Sequence, residues 1–200
     1  MFSPYKLASI NQNWLDLANN HDLADRLRGF FKNDATAHLW KLYTDRQRLT
    51  EILRHTENIP LRIPVAKGPI TSTEQSNQLM HIVNLKPMMS VDIFVETLEW
   101  ITSALNGLGA EQVDIGRVFF SKLRPKSKID LHVEDGKYFE HYDRFHFVVQ
   151  SNESNIFFIR DEPIVLPVGH MCWINNHVPH WLLNNSDEDR INLIVDARLS

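Results

Sequence analysis

The chain has 200 residues, 43% of them hydrophobic, which is long enough to bury a sizeable core in one domain without disulfides or a structural metal. A formal charge of -4 provides no general attraction to phosphate backbones, and a single cysteine, Cys172, excludes both an internal disulfide framework and a cysteine-rich zinc module. The start carries no basic stretch followed by an apolar one, and no uncharged apolar run approaches membrane-spanning length. These features predict a soluble, cytoplasmic protein that binds neither nucleic acid nor membrane.

In chain order, the first third reads as helical, because Leu39, Leu42, Leu49, Ile52 and Leu53 recur on one face with Arg46, Arg48 and Glu51 largely outside it. Pro60 and Pro64 are expected to close that region. A β-prone run follows over 79–85. The spacing of Phe94, Leu98, Ile101 and Leu105 predicts a second helix over 91–105, with Ser90 as N-cap and Gly107 as stop. Beyond it, short β-prone segments divided by turn residues occupy 113–123, 129–133, 144–150, 155–159, 170–174 and 190–195. The expected fold is mainly β with flanking helices: a double-stranded β-helix, or jelly-roll and cupin-like barrel, over 111–200. The helical and mixed region over 1–110 would buttress it within one domain.

Six of the ten histidines crowd the C-terminal part of the chain, and the chemistry is expected there. In an extended segment, His132 and Glu134 share one side because side chains alternate with period two, so both can reach one metal ion. Asp135 is the alternative carboxylate, but the same alternation points it away. His180 lies near the end of a later strand and supplies a third ligand across the barrel mouth. Two imidazoles and one carboxylate form the facial triad of non-haem iron(II) oxygenases. Arg190 stands ten positions after His180, where its planar fork suits a dicarboxylate. Arg144 and His146 alternate with Phe145, Phe147 and Val149, giving that strand one polar face and one apolar face. A polar face turned inward implies a bound anion. His177, His141 and His170 read as loop or turn residues, Cys172 as buried and unreactive, and Trp173, Trp181 and Phe147 as packing.

The ordered runs RVFFSKLRPKSKIDLH, RFHFVVQ and WINNHVPHWLLNNSDEDRINLIVD together resemble the aspartyl/asparaginyl β-hydroxylase family of 2-oxoglutarate oxygenases, over 117–199. By position, the resemblance implies that His132 and His180 are the proximal and distal iron ligands. Ser121 and Arg190 would hold the distal carboxylate of 2-oxoglutarate, and Arg144 and His146 would complete the cosubstrate pocket. The animal members lack the carboxylate two residues after the proximal histidine, whereas Glu134 stands there in this chain. The implied cofactor and cosubstrates are Fe(II), 2-oxoglutarate and dioxygen, with an amino acid, a peptide aspartyl or asparaginyl residue, or a related carboxylate as substrate. The alternatives are a non-oxidative cupin-type isomerase or lyase using the same ligands, and a barrel that binds without catalysing.

Overall fold

The computed structural model describes residues 11–41, 51–64, 82–84 and 91–200. Two antiparallel sheets face each other. Strands β1 (Trp14–Asn19), β2 (Thr56–Pro64), β3 (Ile82–Asn84), β4 (Val113–Leu123), β6 (Asp143–Gln150), β9 (His170–Ile174) and β11 (Arg190–Leu199) form a seven-stranded sheet ordered β1-β9-β6-β11-β4-β2-β3. Strands β5 (Ser127–His132), β7 (Asn155–Ile159), β8 (Glu162–Ile164) and β10 (His180–Asn184) form a four-stranded sheet ordered β5-β10-β7-β8. This is the double-stranded β-helix expected from the run of short strands.

Alternation along the large sheet sorts its residues by environment. Val118, Phe120, Phe145, Phe147, Val149, Met171, Trp173, Leu193 and Val195 face one way, into a core shared with two helices. Helix α1 (His21–Lys32) contributes Leu23, Ala24 and Leu27, and helix α2 (Asp92–Asn106) contributes Phe94, Ile101 and Leu105. Phe31 and Phe94 set their rings on Phe120 at 4.9 and 5.2 Å between centroids. The opposite face looks into the barrel, where Leu123, Val148, Cys172 and Ile174 meet Phe157, Ile159 and Leu182 of the small sheet.

The helical reading of the first third needs correction. Leu39 lies on a 3-10 segment, Asp34–Lys41, and Ile52 and Leu53 lie on a short 3-10 turn, Glu51–Leu53, while Leu42 and Leu49 fall outside the described residues. Helix α1 instead begins earlier, where Asn20 Oδ1 accepts from the Leu23 backbone N–H at 3.0 Å and caps it. Pro60 and Pro64 do not end a helix. Both belong to β2, and the β2–β4 register shifts between Pro60 and Arg62, as expected where a residue without an N–H interrupts a ladder. The 79–85 run is described only as β3, and Ser90 lies outside the described residues; Val91 occupies the N-cap of α2 without a side-chain cap, and Gly107 follows its end as expected. No helix among the described residues is long and apolar enough to cross a membrane, which says nothing of membrane β-barrels.

One short helix between the sheets positions the site. Gly136, at φ +93°, opens α3 (Lys137–His141), a conformation for which the absence of a Cβ is needed. From α3 and the residue after it, Tyr138, Phe139 and Tyr142 form a small buried cluster, and Tyr138 Oη accepts from the Arg117 backbone N–H at 2.7 Å. Gly116 makes room for this hydroxyl: a Cβ there would stand 2.5 Å from Tyr138 Oη and 3.1 Å from the Asp196 carbonyl oxygen. Gly116→Ala is therefore expected to destabilise the protein by about 1–3 kcal/mol, the usual range for overpacking. In Gly116→Ala/Tyr138→Phe the closest obstacle is gone, so chemical denaturation of the two single variants and the double should give less than the sum of the separate losses. Strict additivity would show that the hydroxyl is not what Gly116 accommodates.

Candidate active site

His132 and His180 are opposite one another on neighbouring strands β5 and β10, with ring centroids 4.2 Å apart. His180 opens β10 rather than ending a strand. Each ring is oriented by a backbone carbonyl: His132 Nδ1 lies 2.7 Å from the Asp130 oxygen, and His180 Nδ1 lies 2.9 Å from the Val178 oxygen. A carbonyl only accepts, so in both rings Nδ1 carries a hydrogen, and Nε2 is the nitrogen that bears the lone pair in the neutral ring. That tautomer is the one a metal-binding histidine needs. Burial, followed by the neighbouring His132, pushes the His180 imidazole down to about 4, so it is neutral at ordinary pH.

Glu134 lies just past the end of β5, where its backbone N–H donates to the Asn176 carbonyl at 3.0 Å. Its carboxylate accepts from Arg144 Nη1. Arg144 is itself clamped by Asp196, with Nε to Oδ1 at 2.8 Å and Nη2 to Oδ2 at 3.1 Å; Arg117 Nε reaches the same Oδ2 at 3.1 Å. Asp196 is wholly buried, and the Arg117 guanidinium lies 3.6 Å over the Tyr138 ring. Burial opposes the charge on Arg144, but Asp196 and then Glu134 outweigh it and raise its pKa.

With Glu134 turned onto Arg144, no group of three His, Cys, Asp or Glu side chains among the described residues closes around one point. The donor set nonetheless fits a divalent metal. Two imidazoles with bare Nε2 atoms stand side by side, and a carboxylate lines the same cavity. Asp135 is exposed and does not line it.

The cavity is open to solvent, with about 680 Å³ of space between atoms when the open mouth is counted. All of the residues singled out by sequence line it: Ser121, His132, Glu134, Arg144, His146, His180 and Arg190. Arg190 differs from Arg144. Only 5% exposed, it has no carboxylate partner among the described residues, and burial pushes its pKa down to about 10. With the Asn192 amide oriented to satisfy its surroundings, its oxygen accepts from Arg190 Nη2 at 2.8 Å and from His146 Nδ1 at 3.2 Å. Burial, then Arg190 and Arg144, holds the His146 imidazole well below its usual pKa and therefore neutral. Ser121 is the cross-strand neighbour of both Asn192 and Asn58, and Asn58 Nδ2 is buried without a hydrogen-bond partner.

The other C-terminal histidines lie elsewhere. His177 is absent from the cavity wall, His170 Nδ1 pairs with Asp16 at 2.8 Å, and His141 faces Asp114 at 3.6 Å. Cys172 is buried, which pushes its thiol up to about 12. Trp181 does line the cavity, whereas Trp173 and Phe147 belong to the helix-side core. Sequence reasoning missed Asn58, Asn176, Asn192, Asp196 and Arg117. Period-two counting from Arg190 reaches Asn192 and Asp196 on the inward face, so those two were within reach. Asn58 and Asn176 carry no such signal.

The model of the aspartyl/asparaginyl beta-hydroxylase family matches residues 85–199. No curated protein matches the chain. Among solved structures, a prolyl-4-hydroxylase from Pseudomonas putida is 14% identical and has a TM-score of 0.50, with 98% of this chain and 100% of that one covered. A viral collagen prolyl hydroxylase from Paramecium Bursaria Chlorella virus-1, solved as a 2-oxoglutarate complex, is 9% identical with a TM-score of 0.53, covering 95% and 98%. The plu4264 protein from Photorhabdus luminescens is 21% identical with a TM-score of 0.33; the match takes in 40% of this chain and about 60% of the length of that one. The structural likenesses concern the barrel, and the family match spans more than half of the sequence, including Ser121, His132, Glu134, Arg144, His146, His180 and Arg190, so the chain belongs to the aspartyl/asparaginyl beta-hydroxylase family.

Proposed function

We propose that this protein is an Fe(II)- and 2-oxoglutarate-dependent dioxygenase that hydroxylates an amino acid, an aspartyl or asparaginyl residue or a related small carboxylate, releasing succinate and CO2. The observation that carries this reading is Arg190. A guanidinium inside a barrel is costly to desolvate unless an opposite charge meets it, and no carboxylate among the described residues does so. An anionic ligand is the natural partner, and the same cavity holds the histidine pair.

His132, His180 and Glu134 would hold the metal, Glu134 leaving Arg144 to Asp196 when it does. When bound, the metal supplies activation of dioxygen for insertion into a substrate C–H bond. The protein's part is positioning. Arg190 takes the distal carboxylate of 2-oxoglutarate, with the Ser121 hydroxyl donating beside it. His146 stays neutral and adds no competing charge. Leu123, Ile129, Phe157, Ile174, Leu182 and Ile194 exclude water from the reacting centre. A non-oxidative cupin-type enzyme would have no use for Arg190.

The first test is anaerobic addition of Fe(II) and 2-oxoglutarate, read by the weak visible charge-transfer band of the chelate; a folded protein that gives none would sink the proposal. His132→Ala and His180→Ala should each abolish 2-oxoglutarate turnover with the circular dichroism spectrum retained. Glu134→Ala should be severely impaired. If Asp135→Ala is inactive while Glu134→Ala turns over, the carboxylate belongs one residue further on.

Arg190→Met should weaken 2-oxoglutarate binding by about 2–4 kcal/mol, a loss of roughly thirty-fold to several hundred-fold, because a charged, bidentate contact is removed. Iron affinity should barely change, and Arg190→Lys should fall between, since it restores charge without the fork. Parent-like 2-oxoglutarate affinity in Arg190→Met would move the clamp elsewhere.

A further inference from the structure

One residue of the cavity wall carries a buried amide that the metal and cosubstrate roles proposed above leave unused. Asn176 lies in the turn between β9 and β10, four residues before His180, and lines the cavity. Its backbone oxygen accepts from Glu134 N–H at 3.0 Å, which ties the residue to the metal end. The residue is only 1% exposed, yet neither Nδ2 nor Oδ1 has a hydrogen-bond partner. A buried amide with a donor and an acceptor both unmet is costly, and such atoms in a cavity wall point to a ligand that satisfies them.

The charges in the wall narrow that ligand. The lining residues include two permanent cations, Arg144 and Arg190. On the reading above Glu134 leaves Arg144 for the metal, Arg144 stays clamped by Asp196 through Nε and Nη2, and Arg190 is taken by 2-oxoglutarate. No lining cation then remains for a second carboxylate near Asn176. A carboxylate would also present two acceptors to Oδ1, which needs a hydrogen. A primary carboxamide meets both atoms at once: its oxygen accepts from Asn176 Nδ2, and its N–H donates to Asn176 Oδ1.

We infer that Asn176 is a specificity-determining residue that selects a carboxamide over the isosteric carboxylate on the substrate side chain. This rests on the oxygenase reading for the occupancy of Arg190, but the paired hydrogen bonds themselves need neither metal nor cosubstrate.

The test uses N-acetyl-L-asparagine N-methylamide and N-acetyl-L-aspartate N-methylamide, which differ only in the group on the side-chain carbonyl, NH2 against O−, so that the asparagine side chain is the one primary carboxamide in either probe. Calorimetric binding of each is measured with the metal-free protein and with anaerobic protein loaded with Fe(II) and 2-oxoglutarate. In the loaded protein, where Arg190 is occupied, the carboxamide probe should bind at least about tenfold more tightly, since sites built to pair a hydrogen-bonding group reject its mismatched analogue strongly; in metal-free protein, where Arg190 is open to a carboxylate, the contribution of Asn176 is read from the carboxamide probe alone. Asn176→Ala should bring the two probes within about threefold, by loss of carboxamide affinity. Asn176→Asp keeps the shape but has no donor, and should lose the preference as well. Unchanged 2-oxoglutarate affinity in both variants would show that the effect is confined to the substrate side.

Equal affinities in the loaded parent, no binding of either probe, or a preference that survives both substitutions would overturn the inference. Failure of the parent to bind 2-oxoglutarate would instead count against the oxygenase reading, and the change in carboxamide-probe affinity from parent to Asn176→Ala in metal-free protein would still judge Asn176.

Discussion

A single seven-stranded sheet has to satisfy two environments that exclude each other, an apolar helix layer on one face and a polar ligand cavity on the other. Period-two alternation resolves the conflict, because each strand sends neighbouring side chains in opposite directions. Strand β11 shows it most fully: Ile191, Leu193 and Val195 enter the helix-side core, while Arg190, Asn192 and Asp196 point into the barrel. Strand β6 does the same with Phe145 and Phe147 against Arg144 and His146. The aromatic packing of α1 and α2 thereby holds the functional groups by their backbones. A one-residue slip in register would bury the arginines among phenylalanines and empty the cavity of its chemistry.

Inside the barrel, the two arginines that line the cavity play opposite parts because of one carboxylate. Asp196 is inaccessible to solvent and collects both Arg117 and Arg144. Arg144 extends the chain to Glu134, and Arg117 stacks on Tyr138, so the segment after His132 is tied to the sheet at several points. Such a network is expensive to desolvate in parts and tolerable only when its members are all paired. Arg190, three steps of alternation before Asp196 on the same strand, has an amide oxygen beside it in place of a carboxylate. The protein's own carboxylates thus neutralise one guanidinium and leave the other with an amide neighbour.

The histidine pair depends on a different constraint. Strands β5 and β10 place His132 and His180 in register, and the Asp130 and Val178 carbonyls select the tautomer. The turn that leads into His180 also carries Asn176, whose carbonyl accepts from Glu134 N–H and so ties that turn to the segment after His132.

Much of this was legible in the residues themselves. The alternation of Arg144 and His146 with phenylalanines, the spacing of Phe94, Ile101 and Leu105, and the ordered set Ser121, His132, Glu134, His180 and Arg190 are local patterns or positional matches. They depend on chain spacing alone, and they indicated the barrel, helix α2 and the residues that line the cavity. The first third misled, because apolar residues at helical spacing do not distinguish a helix from short 3-10 turns, and proline does not announce whether it ends a helix or interrupts a strand. The tertiary structure alone decided how the charges are shared. Asp196 and Arg144 are 52 residues apart in sequence and Asn58 and Ser121 meet only through sheet pairing, so no local pattern says which arginine is neutralised or which asparagine is left unpaired. Those outcomes follow from distances across the barrel, which the order of residues specifies only once the strands have closed.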